Sequence, residues 1–363
     1  MDPPHRYHRP HPHTDLILAT ASNFTGTRLA LASADHRLTV WHRDPTNHWS
    51  VLGAPWPAHA AAITAVGFGG PRAGEPLASI GQDGWVRVWT EDHAPPTSSA
   101  RRFVQVWQRA SPSLAGWPFV ALSFRWGGDG ATLATVTRDG VLSICEPEEG
   151  GAEAVGEGPG WGVLWEETLG GSGVPADIAA DEPAFRLSWH QERCAASSLA
   201  VGAGDTVRVL RTDHHGSFYD AAVLEGARDL VRDVAWAGGS MRGFDVIATA
   251  SRDGWYRVYE LHTPGAGALS TRGRRPSATA TTDSVKTVGA SRSGIGAGLA
   301  DGQTRGPRDE VGAVVQEARL VAELECRDDT PWRVSWNPVG DLLVTTSDDG
   351  TVRLWRKAVD GKW

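Results

Sequence analysis

The stretch that decides the fold is TPWRVSWNPVGDLLVTTSDDGTVRLW, residues 330–355. Two runs of alternating apolar and polar residues flank a Pro-Val-Gly-Asp turn, and an Asp-Asp-Gly turn leads into a third run. Alternation with a period of two between such turns predicts three short antiparallel β-strands. In the third run Trp355 follows Asp349 by six residues. This spacing can be searched for in the rest of the chain.

The same module recurs upstream, which makes the chain a repeat protein. The turn and the residue six places later are Asp35 and Trp41, Asp83 and Trp89, Asp139 and Cys145, Asp253 and Tyr259, and, less regularly, Gly204 and Leu210. A strand of small residues such as LALAS or TLATV precedes each turn, and a fourth strand often follows the third. Six units of three or four antiparallel strands predict an all-β, six-bladed β-propeller.

The repeat also sets the domain organisation. We expect a flexible N-terminal tail at 1–12 and a single propeller over 13–363. The predicted blades lie near residues 13–56, 57–110, 117–170, 182–226, 227–325 and 328–363. Residues 262–312 are rich in Gly, Ser, Thr and Ala without an apolar period, which predicts a disordered insertion within blade five.

Composition excludes several classes of function. The net charge of −8 argues against a general nucleic-acid surface, so no nucleic-acid partner is expected. The three cysteines are far apart and read as reduced thiols. Neither a signal peptide nor an apolar run of membrane-spanning length is present, so we expect a soluble intracellular protein with no membrane span.

A possible catalytic set in blade two has a structural interpretation that we favour. His59, Ser79, Asp83 and Trp89 have the spacing of a hydrogen-bond chain in which the indole N–H is linked through hydroxyl and imidazole to the carboxylate. A Ser-His-Asp catalytic triad would use three of these residues, but it would not explain the tryptophan. No paired-cysteine motif, phosphate loop or nucleophile elbow occurs, and the N-terminal histidines read as part of a mobile tail. We therefore expect no enzyme activity, no cofactor and no metal.

Several motifs also resemble a known family. HTDLI, TGTRLALASADHRLTVW, VRDVAW and PWRVSWNPVGDLLVTTSDDGTVRLW are similar to the small WD-repeat scaffold proteins of the nuclear pore and the COPII vesicle coat. ICEPEE, FRLSWHQ and VYELHTPG, in that order, resemble the nuclear-pore branch more than the coat branch, whereas VDGKW at the C-terminus resembles the coat branch.

The resemblance implies a function and partners. It implies an open propeller to which a helical-solenoid nucleoporin of the Nup-eighty-five type supplies a seventh blade, in the Y-shaped scaffold of the nuclear pore complex at the nuclear envelope. A second implied assembly is the SEA or GATOR-two nutrient-signalling complex at the vacuolar or lysosomal surface. The alternatives are a COPII-type coat subunit and, from the fold alone, a peptide-reading WD-repeat adaptor.

The residues themselves also favour an open ring. Prolines 3, 4, 10 and 12 make the N-terminal tail a poor strand, because proline cannot donate a ladder hydrogen bond. The first and last blades should therefore each present an apolar face to a partner. The candidate seam residues are Leu16, Leu18, Leu29 and Leu31 in blade one and Val334, Trp336, Leu343, Val352 and Leu354 in blade six.

An internal alignment also predicts the state of the last blade. Trp49 opens the fourth strand of blade one eight residues after Trp41, and Trp363 follows Trp355 by the same distance. We therefore expect blade six to have three strands, with a free edge on the third, and favour a natural chain that continues beyond Trp363.

Overall fold

The computed structural model describes residues 12–70, 75–92, 102–125, 131–148, 160–169, 182–191, 197–213, 215–238, 243–263, 314–326, 329–358 and 363. The predicted tail at 1–12 and insertion at 262–312 fall almost entirely outside these residues. Within them, no helix is long and apolar enough to cross a membrane.

The first three blades are antiparallel sheets in which strands follow one another in chain order. Blade one contains β1 (Ile17–Ser22), β2 (Arg28–Ser33), β3 (Arg37–Arg43), β4 (Trp49–Val51) and β5 (Trp56–Pro57). Blade two contains β6 (Ile63–Phe68), β7 (Leu77–Gly81), β8 (Trp85–Glu91) and β9 (Phe103–Ala110). Blade three contains β10 (Phe119–Arg125), β11 (Thr132–Thr137), β12 (Val141–Pro147) and β13 (Trp161–Thr168). In blade one the short β4 and β5 both pair with β3.

The last three blades follow the same order, with one strand fewer in the sixth. Blade four contains β14 (Phe185–Trp189), β15 (Ser198–Ala203), β16 (Thr206–Thr212) and β17 (Phe218–Leu224). Blade five contains β18 (Val231–Trp236), β19 (Asp245–Ser251), β20 (Trp255–His262) and β21 (Glu317–Glu325). Blade six contains β22 (Pro331–Trp336), β23 (Leu342–Ser347) and β24 (Val352–Arg356).

The blades succeed one another around a common axis. The first strand of each blade contacts the first strand of the next, in the order β1, β6, β10, β14, β18, β22. The prediction of an all-β, six-bladed propeller is confirmed.

The tight turn before each third strand explains the recurring acid. In blade two the Asp83 carboxylate accepts a hydrogen bond from the Trp85 N–H at 3.2 Å, which closes the turn. Gly84 between them has φ +79°, a left-handed conformation that glycine adopts without strain. In blade one His36 takes this conformation at φ 68°.

Hydrophobic packing between blades forms five clusters in the described part of the chain. Each cluster joins one blade to the next: one to two, two to three, three to four, four to five, and five to six. A closed ring of six blades would need a sixth cluster between blades six and one. The five observed clusters therefore describe an open ring.

The end of the described chain lies beside blade six. The ring of Trp363 packs edge-on against Trp336 with centroids 5.5 Å apart. In blade three Trp161, the first residue of β13, packs in the same way against Phe124 at 6.1 Å. Trp363 thus occupies the place that the first residue of a fourth strand takes in blade three. The described residues of blade six form three strands.

Candidate partner-binding seam

The four residues singled out in blade two are brought together by the fold. Trp89 Nε1 donates to Ser79 Oγ at 3.0 Å, and Ser79 Oγ lies 2.8 Å from His59 Nε2. His59 Nδ1 lies 2.9 Å from Asp83 Oδ1. Ser79 can accept from the indole and donate its own proton to Nε2, which leaves the Nδ1–H of a neutral imidazole to donate to the carboxylate. The chain of hydrogen bonds ties the tight turn to β7, to β8 and to the segment between β5 and β6.

Burial and hydrogen bonding fix the charge state of this chain. Burial lowers the pKa of His59 below its ordinary value, although Asp83 opposes the shift. Burial acts against ionisation of Asp83, but hydrogen bonds from the Ala60 N–H, Arg87 and His59 outweigh it and lower its pKa to about 2. Ser79 is fully buried, so a substrate has no access to its hydroxyl. The arrangement is suited to holding the blade together.

Blade one contains an altered version of this chain. His13 Nδ1 lies 3.1 Å from Asp35 Oδ1, and its Nε2 lies 2.7 Å from Thr39 Oγ1. Leu31 stands ten residues before Trp41, where Ser79 precedes Trp89 in blade two. The Trp41 N–H is consequently buried without an acceptor among the described residues. The tryptophan of blade one is the less firmly held of the two.

The two faces of a blade have fixed roles. In blade two Leu77 and Trp89 are paired across the strands and pack against blade one. Ala78 and Val88, paired on the opposite face, pack against blade three. The other clusters follow the same rule. The face that carries the tryptophan position covers the preceding blade, and the alternate face covers the next.

This rule identifies the uncovered face of blade one. Its tryptophan face has no preceding blade, and that face carries Leu29 and Leu31, paired with Trp41 and Thr39. Leu29 is half-buried and Leu31 is buried. Leu16, just before β1, and Leu18, the second residue of β1, are exposed by 71% and 40%. An apolar strip therefore borders the gap on this side.

On the other side of the gap the rule corrects the sequence-based assignment. Val352 and Leu354 lie on the alternate face of blade six and are 64% and 65% exposed. Val334 and Leu343 lie on the tryptophan face and are buried in the cluster with blade five, and Trp336 packs against the same cluster. These three residues are therefore part of the internal core and not of the open face.

The sequence missed Val344 and Trp41 on the two open faces. Val344 pairs with Leu354 across the strands and is half-buried. Trp41 pairs with Leu29. The position of the tryptophan could have suggested which residues share a face, because residues two places apart along a strand point to the same side of the sheet. Here the candidate seam is defined as Leu16, Leu18, Leu29, Leu31 and Trp41 of blade one with Val344, Val352 and Leu354 of blade six.

Other kinds of site were sought in the part of the chain that the structure describes. No group of three His, Cys, Asp or Glu side chains there has the geometry to hold a metal ion. Cys145 and Cys326 are buried free thiols. Cys194 and the N-terminal histidines 5, 8 and 11 lie outside the described residues.

The fold and the open faces define a class of protein, the open six-bladed WD40-repeat β-propeller. Residues 318–356, from β21 to β24, match the model of the WD domain, G-beta repeat. Over nearly its whole length the chain is homologous to nucleoporin SEH1. The relatives are nucleoporins, in agreement with the expectation that the chain is not an enzyme.

The sequence identity to SEH1 is nearly the same in relatives from three distant organisms. The chain is 27% identical to nucleoporin SEH1 of Saccharomyces cerevisiae, covering 95% of this chain and 93% of the relative. It is 26% identical to nucleoporin seh1 of Schizosaccharomyces pombe, covering 95% and 90%. It is 25% identical to nucleoporin SEH1 of Homo sapiens, covering 97% and 84%. The resemblance to the nuclear-pore branch is confirmed.

Proposed function

We propose that this protein is a structural subunit of the nuclear pore complex that binds a helical-solenoid nucleoporin of the Nup-eighty-five type. The observation that carries the proposal is the pair of uncovered blade faces that border the gap in the ring. Homology to nucleoporin SEH1 supports the choice of assembly, and the open propeller supports the proposed binding mode. The site of action is the nuclear envelope, and the role is to support transport through the pore.

The binding mode follows from how blades pack. Within the ring, every pair of successive blades buries an apolar cluster. A seventh blade inserted by a partner would form two such clusters, one with the tryptophan face of blade one and one with the alternate face of blade six. A stable complex buries roughly 1,200–2,000 Å² in total, which two blade-to-blade contacts can supply.

Charged substitutions on the seam test the proposal. We expect Val352→Asp combined with Leu354→Asp to weaken binding to the coexpressed solenoid nucleoporin at least tenfold, because the partner blade would bury both charges. Leu18→Asp should act in the same direction from the other side of the gap. Affinity can be measured by titration calorimetry on the purified chains.

Leu164→Asp is the matched control. Leu164 lies on β13 of blade three and is about as exposed as Leu354. The control therefore replaces an exposed leucine by aspartate at a position away from the gap. Wild type and the control should form the complex and place a fluorescent fusion at the nuclear rim. Unchanged affinity in the seam variants, or equal loss in the control, would contradict blade insertion at this gap.

The implied second assembly, a SEA or GATOR-two complex at the vacuolar or lysosomal surface, would use the same seam. A single gap accepts one blade at a time, so the two partners should compete for it. Excess solenoid nucleoporin should then release the chain from the signalling complex. Simultaneous binding of both partners to one chain would contradict a shared seam.

A further inference from the structure

Five of the six blades carry an aromatic residue at the same position of the first strand. In blade two this residue is Phe68, which pairs with Leu77, and Leu77 pairs in turn with Trp89. In blade one the same register places Ser22 at this position, so blade one is the exception. The aromatic residues at this position in blades three to six are Phe124, Trp189, Trp236 and Trp336.

A small residue stands directly before this position in every blade. Because successive side chains of a strand point to opposite faces, the two residues contact different neighbours. The aromatic residue lies on the tryptophan face and packs in the cluster with the preceding blade. The small residue faces the next blade. The small residues are Ala21, Gly67, Ser123, Ser188, Ala235 and Ser335.

Hydrogen bonds join the small residue to the aromatic residue of the next blade. The amide N–H of Trp189 donates to Ser123 Oγ at 3.4 Å, and its indole N–H donates to the Ser123 carbonyl oxygen at 3.1 Å. The amide N–H of Trp236 donates to Ser188 Oγ at 2.9 Å. A serine at the small position therefore accepts a hydrogen bond from the backbone of the aromatic residue.

Close packing explains why this position is kept small. A β-carbon added to Gly67 would lie 2.8 Å from Leu122 Cδ1 and 3.7 Å from Phe124 Cδ2 in the next blade, so a larger side chain would collide there. Between blades five and six the indole N–H of Trp336 donates to the Ala235 carbonyl oxygen at 3.1 Å. Four of the five interfaces within the described ring thus show direct contact between the small residue and the next blade. In the remaining one, both members belong to a single cluster.

Ser335 is the small residue of the last blade, and it faces the gap. Its side chain is exposed and forms no hydrogen bond with another residue of the described chain. It has the same residue type as Ser123 and Ser188, whose hydroxyls accept the amide N–H of an aromatic residue. Ser335 is therefore suited to an aromatic residue on the first strand of an inserted blade.

The other side of the gap lacks the aromatic residue that the other blades supply. Ser22 is exposed and occupies the position that Phe68 has in blade two. An inserted blade with a small residue here would leave a void between its first strand and β1, and an unfilled void is destabilising. The inserted strand must therefore supply the missing volume itself.

A second copy of this chain is a poor occupant of the gap. Its blade one would lie beside blade six, and its Ser22 would face Ser335. Two serines would then meet where every internal interface has a small residue against an aromatic one. The pattern favours a strand from a different polypeptide.

On the basis of the proposed function, we propose that the first strand of the partner's blade presents an aromatic residue to Ser335. The residue directly before it in the partner's sequence faces Ser22 and is larger than alanine or serine. Blade six thus selects the aromatic residue, and blade one selects the size of its neighbour. An ordinary repeat of this chain, with a small residue before the aromatic one, would satisfy only the first requirement.

Filling the place at Ser335 tests the first requirement. We expect Ser335→Leu to weaken binding of the coexpressed solenoid nucleoporin at least about tenfold, because the added side chain overfills the contact. The melting temperature of the isolated protein should not change, since Ser335 is exposed. Ser217→Leu is the matched control, because it changes an exposed serine beside β17 of blade four, away from the gap. It should keep the wild-type affinity in titration calorimetry.

A complementary change in the partner identifies the aromatic residue. Each aromatic residue of the partner's inserted segment is replaced by alanine in turn. One of these variants should bind wild-type protein about tenfold more weakly and should bind Ser335→Leu more tightly than the unchanged partner does. This coupling is expected because the leucine fills the space that the ring leaves.

Ser22→Trp tests the second requirement. A tryptophan here restores the aromatic residue of an ordinary blade, so it should compete with a large residue of the partner and weaken binding about tenfold. Unchanged or tighter binding would show that the partner presents a small residue to blade one, and would contradict this part of the proposal.

The seam variants distinguish failure of this inference from failure of the proposed function. If Ser335→Leu keeps the wild-type affinity while Val352→Asp combined with Leu354→Asp loses it, a blade inserts without the aromatic contact and the inference is wrong. If the seam variant also keeps its affinity, the proposed function itself is wrong. A lower melting temperature of isolated Ser335→Leu would show that the chain covers Ser335 by itself, which would also overturn the inference.

Discussion

Blades one and two carry the same turn and the same tryptophan, yet they hold it differently. Trp89 is buried between two blades and donates to Ser79, whereas Trp41 faces the gap and its N–H has no acceptor among the described residues. The difference has two causes. Leu31 occupies the place that Ser79 has in blade two, and blade one has no preceding blade to cover its tryptophan. The same residue of a repeat motif is therefore buried or exposed depending on whether a neighbouring blade covers it.

The largest expected effect tests this difference directly. Trp89→Ala should lower the free energy of unfolding by roughly 3–5 kcal/mol, because it removes a buried ring and leaves the buried Ser79 hydroxyl without its indole donor. Trp41→Ala should cost less than half as much, since this ring is only partly buried. Urea denaturation monitored by circular dichroism measures both values. Equal losses would show that the gap does not loosen blade one.

The second expected effect compares blades five and six. Arg257 is nearly fully buried between Asp253 and Glu323. Arg257→Met should cost about 3 kcal/mol, because it leaves the Asp253 carboxylate without its partner in a poorly solvated place. The more exposed Arg353→Met should cost less than about 1 kcal/mol. Equal losses of stability would show that Arg353 is held as firmly in blade six as Arg257 is in blade five.

The third expected effect compares the two faces of blade six. Leu343→Ala should lower stability by about 2–3 kcal/mol, because its side chain fills the cluster with blade five. Leu354→Ala should change it by less than about 0.5 kcal/mol in the isolated protein, since this side chain faces solvent. Thermal melts of both variants provide the measurement. A large loss for Leu354→Ala would place that residue in a core.

The smallest expected effect is a dependence on pH. The folded-state pKa of Asp83 is lowered to about 2, below the ordinary value of 3.8. A lowered pKa means that this contribution is complete above pH 4 and is lost as the pH falls towards 2. After allowance for solvent screening, it should amount to about 1 kcal/mol.

Protonation of His59 also lowers the stability of the folded state, but it does so at a higher pH than protonation of Asp83. Its folded-state pKa lies below the ordinary 6.5, so stability falls as the pH drops below that value. We therefore expect the free energy of unfolding to fall more steeply between pH 7 and pH 3 for wild type than for the double variant His59→Asn and Asp83→Asn. Denaturation curves recorded at each pH give these values. Identical slopes would contradict the neutral-histidine arrangement.

The sequence by itself determined the repeat. The acid–glycine turns, the alternation and the spacing from acid to tryptophan specify antiparallel strands locally, and their number gives six blades. The four residues of the blade-two chain could be named because the repeat fixes their spacing from the tight turn and the tryptophan. Arg353 could be aligned with Arg87 and Arg257 in the same way.

Only the tertiary structure decided which face of each terminal blade is open. When a strand has apolar residues on both faces, its sequence does not show which face a neighbouring blade covers. The sequence-based prediction therefore grouped Val334, Trp336 and Leu343 with Val352 and Leu354. In the ring, the first three pack against blade five and the last two face the gap. The order of blades around the axis breaks the equivalence, because each face is covered by a different neighbour and the last blade has only one.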